Sequence, residues 1–162
     1  QEIKQAEAAI AASETANFEM FDRSRPRTLA VASRKARDVA FRKRLLTLYG
    51  QRCTVTGKSI VTPTGLLNLD AAHIIPIESA GTDDPRNGLL LSKDLHWAFD
   101  QGLFYVGEDR KIQIPPLVKR TADNDRLAAI CGQQLRIPSI PTLAPDKGAL
   151  KWHMDHVASK WA

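Results

Sequence analysis

The chain has 162 residues, 43% of them hydrophobic, with 23 Lys and Arg against 18 Asp and Glu; this is the size and balance of one folded domain and excludes an extensively disordered chain. No apolar run approaches the roughly 18 residues of a membrane span, and residues 1–21 lack the basic start and apolar core of a signal peptide, so a soluble, cytoplasmic protein with no membrane partner is expected. Cys53 and Cys131 lie 78 positions apart, which rules out a CxxC motif and a paired-cysteine zinc cage and makes free thiols of both.

In chain order, residues 1–21 hold six Ala and four Glu, with Ile3 and Ile10 seven apart; the pattern predicts a weakly amphipathic helix or a helical linker. Arg25-Pro26-Arg27 interrupts it. A stronger helix is predicted from Val31 to Tyr49, with Phe41, Leu45, Leu48 and Tyr49 on one face and Gly50 as its stop. Between Arg23 and Arg52 stand ten basic residues and one acid, Asp38, while the rest of the chain has more acids than bases. A polyanionic partner is the natural inference, and a solvated helix face the plainer alternative.

From Cys53 the pattern shifts to short extended pieces. A strand is expected to end near Pro76, a loop rich in Gly, Asp, Pro and Ser runs from Ser79 to Asn87, and Leu89-Leu90-Leu91 reads as a second strand. Ser92 would then cap a helix from Lys93 to Gln101. Leu103 to Val106 and Lys111 to Ile114 predict a hairpin, Asp123 to Leu135 a helix, and Asp146 to Trp161 a last helix after a Pro-rich connector. His153 and His156 read as packing or surface residues, and Asp83-Asp84 as a turn before Pro85. The absence of Met at position 1, where Gln1 stands, is read as a sign of processing or of a longer protein.

The order strand, loop, strand, helix carries His73 at a strand end, Asn87 in the loop and His96 on the helix. The surrounding words are Asp70-Ala71-Ala72-His73-Ile74-Ile75-Pro76, Asp83-Asp84-Pro85-Arg86-Asn87-Gly88 and Leu95-His96-Trp97-Ala98-Phe99-Asp100, preceded by Cys53-Thr54-Val55-Thr56-Gly57. Together they resemble the HNH endonuclease family, and within it the bacterial restriction-type subgroup, over roughly Phe41 to Ile114. The fold implied is α+β: a ββα-metal finger with flanking helices and a short β-hairpin. On this reading residues 1–28 form a helical linker or N-terminal extension, 29–116 the nuclease core with its basic leading helix, and 117–162 a helical extension packing on the core.

The chemistry gives these residue types a rationale. Phosphodiester hydrolysis needs a base for water, a cation to stabilise developing charge, and fixed geometry; an imidazole titrating near neutrality suits the first role. The resemblance implies that His73 is the general base, that Asn87 braces the loop and orients it, and that His96 is a metal ligand. Ala72 stands where many relatives have an acidic ligand, which leaves Asp70 and Asp100 as competing or joint carboxylate ligands. Such a set suits one hard divalent ion, Mg²⁺ first, with Mn²⁺ or Ni²⁺ as alternatives. No structural zinc is expected, so apolar packing from Val55, Leu69, Leu95 and Phe99 must hold the finger. Arg34, Lys35, Arg37, Arg42, Lys43 and Arg44 would contact the backbone of duplex DNA. The resulting expectation is a metal-dependent DNA endonuclease module of a larger restriction-type protein, with room for an upstream specificity domain and a homodimer. The rivals are a catalytically inactive HNH-like DNA-binding module, suggested by Ala72, and a basic domain that binds protein or RNA.

Overall fold

A computed structural model describes residues 1–22, 31–121 and 123–162; the break expected at Arg25-Pro26-Arg27 lies outside them. The central unit is an antiparallel pair, β1 (Leu69–His73) and β2 (Gly88–Ser92), followed without a linker by helix α3 (Lys93–Asp100). Every residue of β2 is buried, so its run of three leucines is the middle layer of the molecule, where each buried Leu contributes about 1.5–3 kcal/mol. The long helix α2 (Val31–Leu48) packs across the β1–β2 pair through Phe41 and Leu45, and α3 covers the pair with Leu95 and Phe99. Gly50, at φ +60°, and the Gln51 N–H donating to the Leu46 carbonyl end α2 as its sequence predicts.

The Cys53–Gly57 word forms a turn closed by its own backbone: the Gly57 N–H donates to Cys53 and the Cys53 N–H to Lys58. Thr54 ties this turn to the sheet, since its N–H and its hydroxyl both donate to the Leu90 carbonyl, at 2.8 and 2.9 Å. Backbone bonds and a buried threonine thus join the apolar packing expected of Val55, Leu69, Leu95 and Phe99, all of which are in the core.

Helix α1 (Glu2–Glu14) lies along α2, with Ala6 and Ile10 in the shared core and Ile3 exposed. Its acids meet the basic helix: Glu7 pairs with Lys43, and Glu14 with Arg44. The hairpin is β3 (Tyr105–Val106) with β4 (Ile112–Gln113). The helix expected from Asp123 to Leu135 is shorter, α5 (Asp125–Ile130). Gly132, at φ +80°, stops it, and Gln133 to Leu135 run extended beside the hairpin, where the Ile112 N–H donates to Gln133 and the Leu135 N–H to Arg110. A short helix, α4 (Pro116–Lys119), precedes it, with Pro116 at its first position. Helix α6 (Lys147–His156) is capped by Asp146, whose carboxylate accepts from the Ala149 N–H, and a 3-10 turn at Ala158–Trp161 follows.

His153 is a core residue, as its apolar neighbours suggest: 2% exposed, stacked on Phe99 at 3.7 Å and donating through Nε2 to the Phe99 carbonyl. Burial is the main cause that lowers its pKa to about 4, with the Phe99 carbonyl and Asp100 pulling the other way and Lys160 adding to the drop. The unfolded chain, whose histidine titrates near 6.5, therefore binds more protons than the fold between those values. Stability from this residue is complete above about pH 6.5 and lost as pH falls towards 4, by about 2–3 kcal/mol. Urea unfolding at pH 7 and pH 4.5 should show this loss in the parent and a much smaller one in His153→Phe.

Candidate active site

The candidate residues meet at an open cleft of about 1150 Å³ bounded by α2, β1 and its following loop, α3 and the end of α6. Asp70 enters from the start of β1, His73 from its end, and His96 and Asp100 from one face of α3. The register sets Asp70 opposite Leu91 and His73 opposite Gly88. His73, Asp70, His96 and Asp100 all line this cleft, together with Arg34, Arg37 and Arg42.

The His73 ring is held on two sides. Phe41 of α2 stacks on it at 4.1 Å and 8° between planes, and Nε2 lies 2.9 Å from Asp83 Oδ1. The stack depends on Gly88: a Cβ there would stand 2.7 Å from the Phe41 ring and 2.8 Å from Leu45. Asn87 is fully buried and does not touch the ring. Its Oδ1 accepts from the Ile75 N–H at 2.9 Å, and its Nδ2 donates to Ile75 and Thr82 carbonyls, so it pins both ends of the loop after β1. Next to it Asp84 accepts from the Arg86 N–H, and Arg86 reaches the Ser13 and Ala16 carbonyls at the end of α1. The Asp83-Asp84 turn expected from the sequence is therefore present, and one of its two acids also serves His73.

On the other side His96 lies between two carboxylates, with Nδ1 at 3.0 Å from Asp70 and Nε2 at 3.2 Å from Asp100. The hydrogen bond to Asp100 is the largest cause raising the His96 pKa to about 9; burial opposes it and the bond to Asp70 adds to it. Burial pushes the Asp70 carboxyl up, but hydrogen bonds from Lys93 and His96 outweigh it and hold the group below its ordinary value. Among the described residues no three His, Cys, Asp or Glu side chains converge on one point. Since the carboxylates flank opposite nitrogens, the donor set fits a divalent ion as His96, once it has given up a ring proton, with one carboxylate, the other positions being left to water and phosphate oxygens.

The six basic residues expected at DNA separate into groups. Arg34 and Lys35 are exposed. Arg37 is bonded to Asp83, and Arg42 donates to the Leu69 carbonyl. Lys43 and Arg44 are turned to the acids of α1.

Residues 53–107 match the family model described as HNH endonuclease. This segment is an HNH domain. No curated protein matches the chain. Among solved structures, one described as "Modification dependent TagI restriction endonuclease" shares the fold, with a TM-score of 0.57 and 24% identity. The alignment covers 72% of this chain and 37% of that one, so the HNH domain and its flanks span well under half of the matched protein's length. HNH nucleases generally use a divalent metal.

Proposed function

We propose that this chain hydrolyses DNA phosphodiester bonds as a metal-dependent endonuclease, and that it is the nuclease module of a larger restriction-type protein. The observation that carries the reading is that one cleft of an HNH domain holds both an oriented imidazole, His73, and an imidazole between carboxylates, His96 with Asp70 and Asp100. His73 takes the proton from the attacking water. Asp70, His96 and Asp100 are the side chains available to hold a divalent ion, Mg²⁺ first and Mn²⁺ or Ni²⁺ otherwise. When bound, such an ion supplies charge stabilisation for the phosphate and the leaving oxygen. Asn87 fixes the loop that carries the partner of His73, and Phe41 fixes the plane of its ring.

Incubation of supercoiled plasmid with the protein and Mg²⁺, Mn²⁺ or Ni²⁺ should give nicked or linear product, and EDTA should abolish it; full activity in EDTA would remove the metal from the reading. A second reading, a catalytically inactive DNA-binding module, is favoured by Ala72 in place of an acid and by the engagement of both His96 nitrogens. Binding without cleavage under every ion would establish it.

The exposed residues Arg34 and Lys35 are the phosphate contacts on this reading. Their double replacement by Gln should lower the slope of log K against log salt by about 0.9 per lost contact. Lys43→Gln should leave that slope unchanged, because Lys43 is already paired with Glu7. Anisotropy titrations of a labelled duplex at several salt concentrations measure both.

A further inference from the structure

We propose that Asp83 is a positioning residue for His73, holding the imidazole in the tautomer protonated at Nε2 and so leaving the Nδ1 lone pair to act on water. The proposal rests on the nuclease reading for the role of Nδ1, but the contact itself does not. Asp83 is well placed for it. One oxygen lies 2.9 Å from His73 Nε2, and the other accepts from Arg37, 2.8 Å from Nε and 2.7 Å from Nη2. The three side chains are only 15%, 12% and 20% exposed, so the chain from guanidinium to carboxylate to imidazole runs through the protein and not through solvent. Among the described residues no hydrogen bond is made to His73 Nδ1.

The backbone explains why Asp83 stays there. Its neighbour Thr82 is tied to Asn87, and its other neighbour Asp84 caps the 3-10 turn at Pro85–Asn87. Asn87 therefore acts on His73 at one remove: it places the loop, and the loop places the carboxylate. Two of the groups that fix the ring, Arg37 and Phe41, come from α2, which precedes the matched HNH segment.

An ionised carboxylate accepts hydrogen bonds only, so it selects the Nε2–H form; the amide of Asn can donate to Nε2 and select the opposite one. In serine proteases the equivalent Asp to Asn change lowers kcat by about 10⁴-fold.

The test combines long-range ¹H–¹⁵N spectra of histidine-labelled protein without metal with single-turnover plasmid cleavage in Mn²⁺, for the parent, Asp83→Asn, Asp83→Ala and Asp83→Glu. The expected result is an Nε2–H signature for His73 in the parent, a shift towards Nδ1–H in Asp83→Asn, and a cleavage rate about 10²–10⁴-fold lower with DNA affinity held or tightened. Asp83→Glu should recover part of the rate and the parent tautomer, and it carries the test if Asp83→Asn does not fold. An unchanged tautomer in Asp83→Asn and Asp83→Ala, or rate losses that only follow the melting temperature, would overturn the proposal. A parent that cleaves in no ion but shows the tautomer shift would sink the nuclease reading and leave the Asp83 contact standing.

Discussion

His73→Ala is expected to lower the single-turnover rate of DNA cleavage by about 10²–10⁴-fold, the range that a positioned general base contributes, while duplex affinity stays near that of the parent. The split follows from where the ring sits: with the ring stacked on Phe41 and bonded to Asp83, the proposed role falls on proton removal and not on holding the phosphate backbone. The replacement also leaves Asp83 with Arg37 as a partner, so no buried acid is stranded and the fold should persist. Parallel measurements of rate and affinity decide the point. An equal loss in both would make His73 a structural residue.

The second large effect is expected at His96. Among the described residues its ring is the one group that contacts both Asp70 and Asp100, so His96→Ala removes the nitrogen donor and the element that gathers the carboxylates. Divalent-ion affinity, measured by calorimetry, should fall by at least about tenfold, equivalent to about 1.4 kcal/mol, and cleavage should fall with it. Asp70→Asn and Asp100→Asn then identify the side on which the ion sits, since a ligating carboxylate must be ionised and the other variant should retain most of the affinity. Equal affinity in all three variants would move the ion away from this cluster.

The strand, loop, strand, helix order was legible from local patterning because its signals are short-range: the unbroken apolar run of β2, Ser92 at the helix start, and the apolar residues of α3. His73, Asn87 and His96 stood out only together, through the family resemblance that their three words carry in that strand, loop and helix order. The link from Arg37 to Asp83 was not legible, since 46 positions separate the partners and only the packing of α2 on the β1–β2 pair brings them together. Asp83 itself read as a turn residue because nothing within the loop sequence distinguishes an acid that caps a turn from one that faces a ring. The basic run misled in part: the sequence shows ten positive residues but not that Glu7 and Glu14, more than two dozen positions away, are set against Lys43 and Arg44. In the helix expected at Asp123, the stop at Gly132 was visible as a residue but its consequence, an extended segment along the hairpin, depends on the distant backbone of Arg110 and Ile112.

The missing side chain at Gly88 has a consequence for anyone who would graft this unit onto another scaffold. Because position 88 leaves a gap that Phe41 and Leu45 occupy, a fragment trimmed to residues 53–107 would open a hole beside the His73 ring and expose the leucines of β2 to water. The smallest portable unit therefore begins upstream of α2. Substitutions at Phe41 and Gly88 should be exchanged as a pair when such chimeras are built, a larger residue at one position being matched by a smaller one at the other.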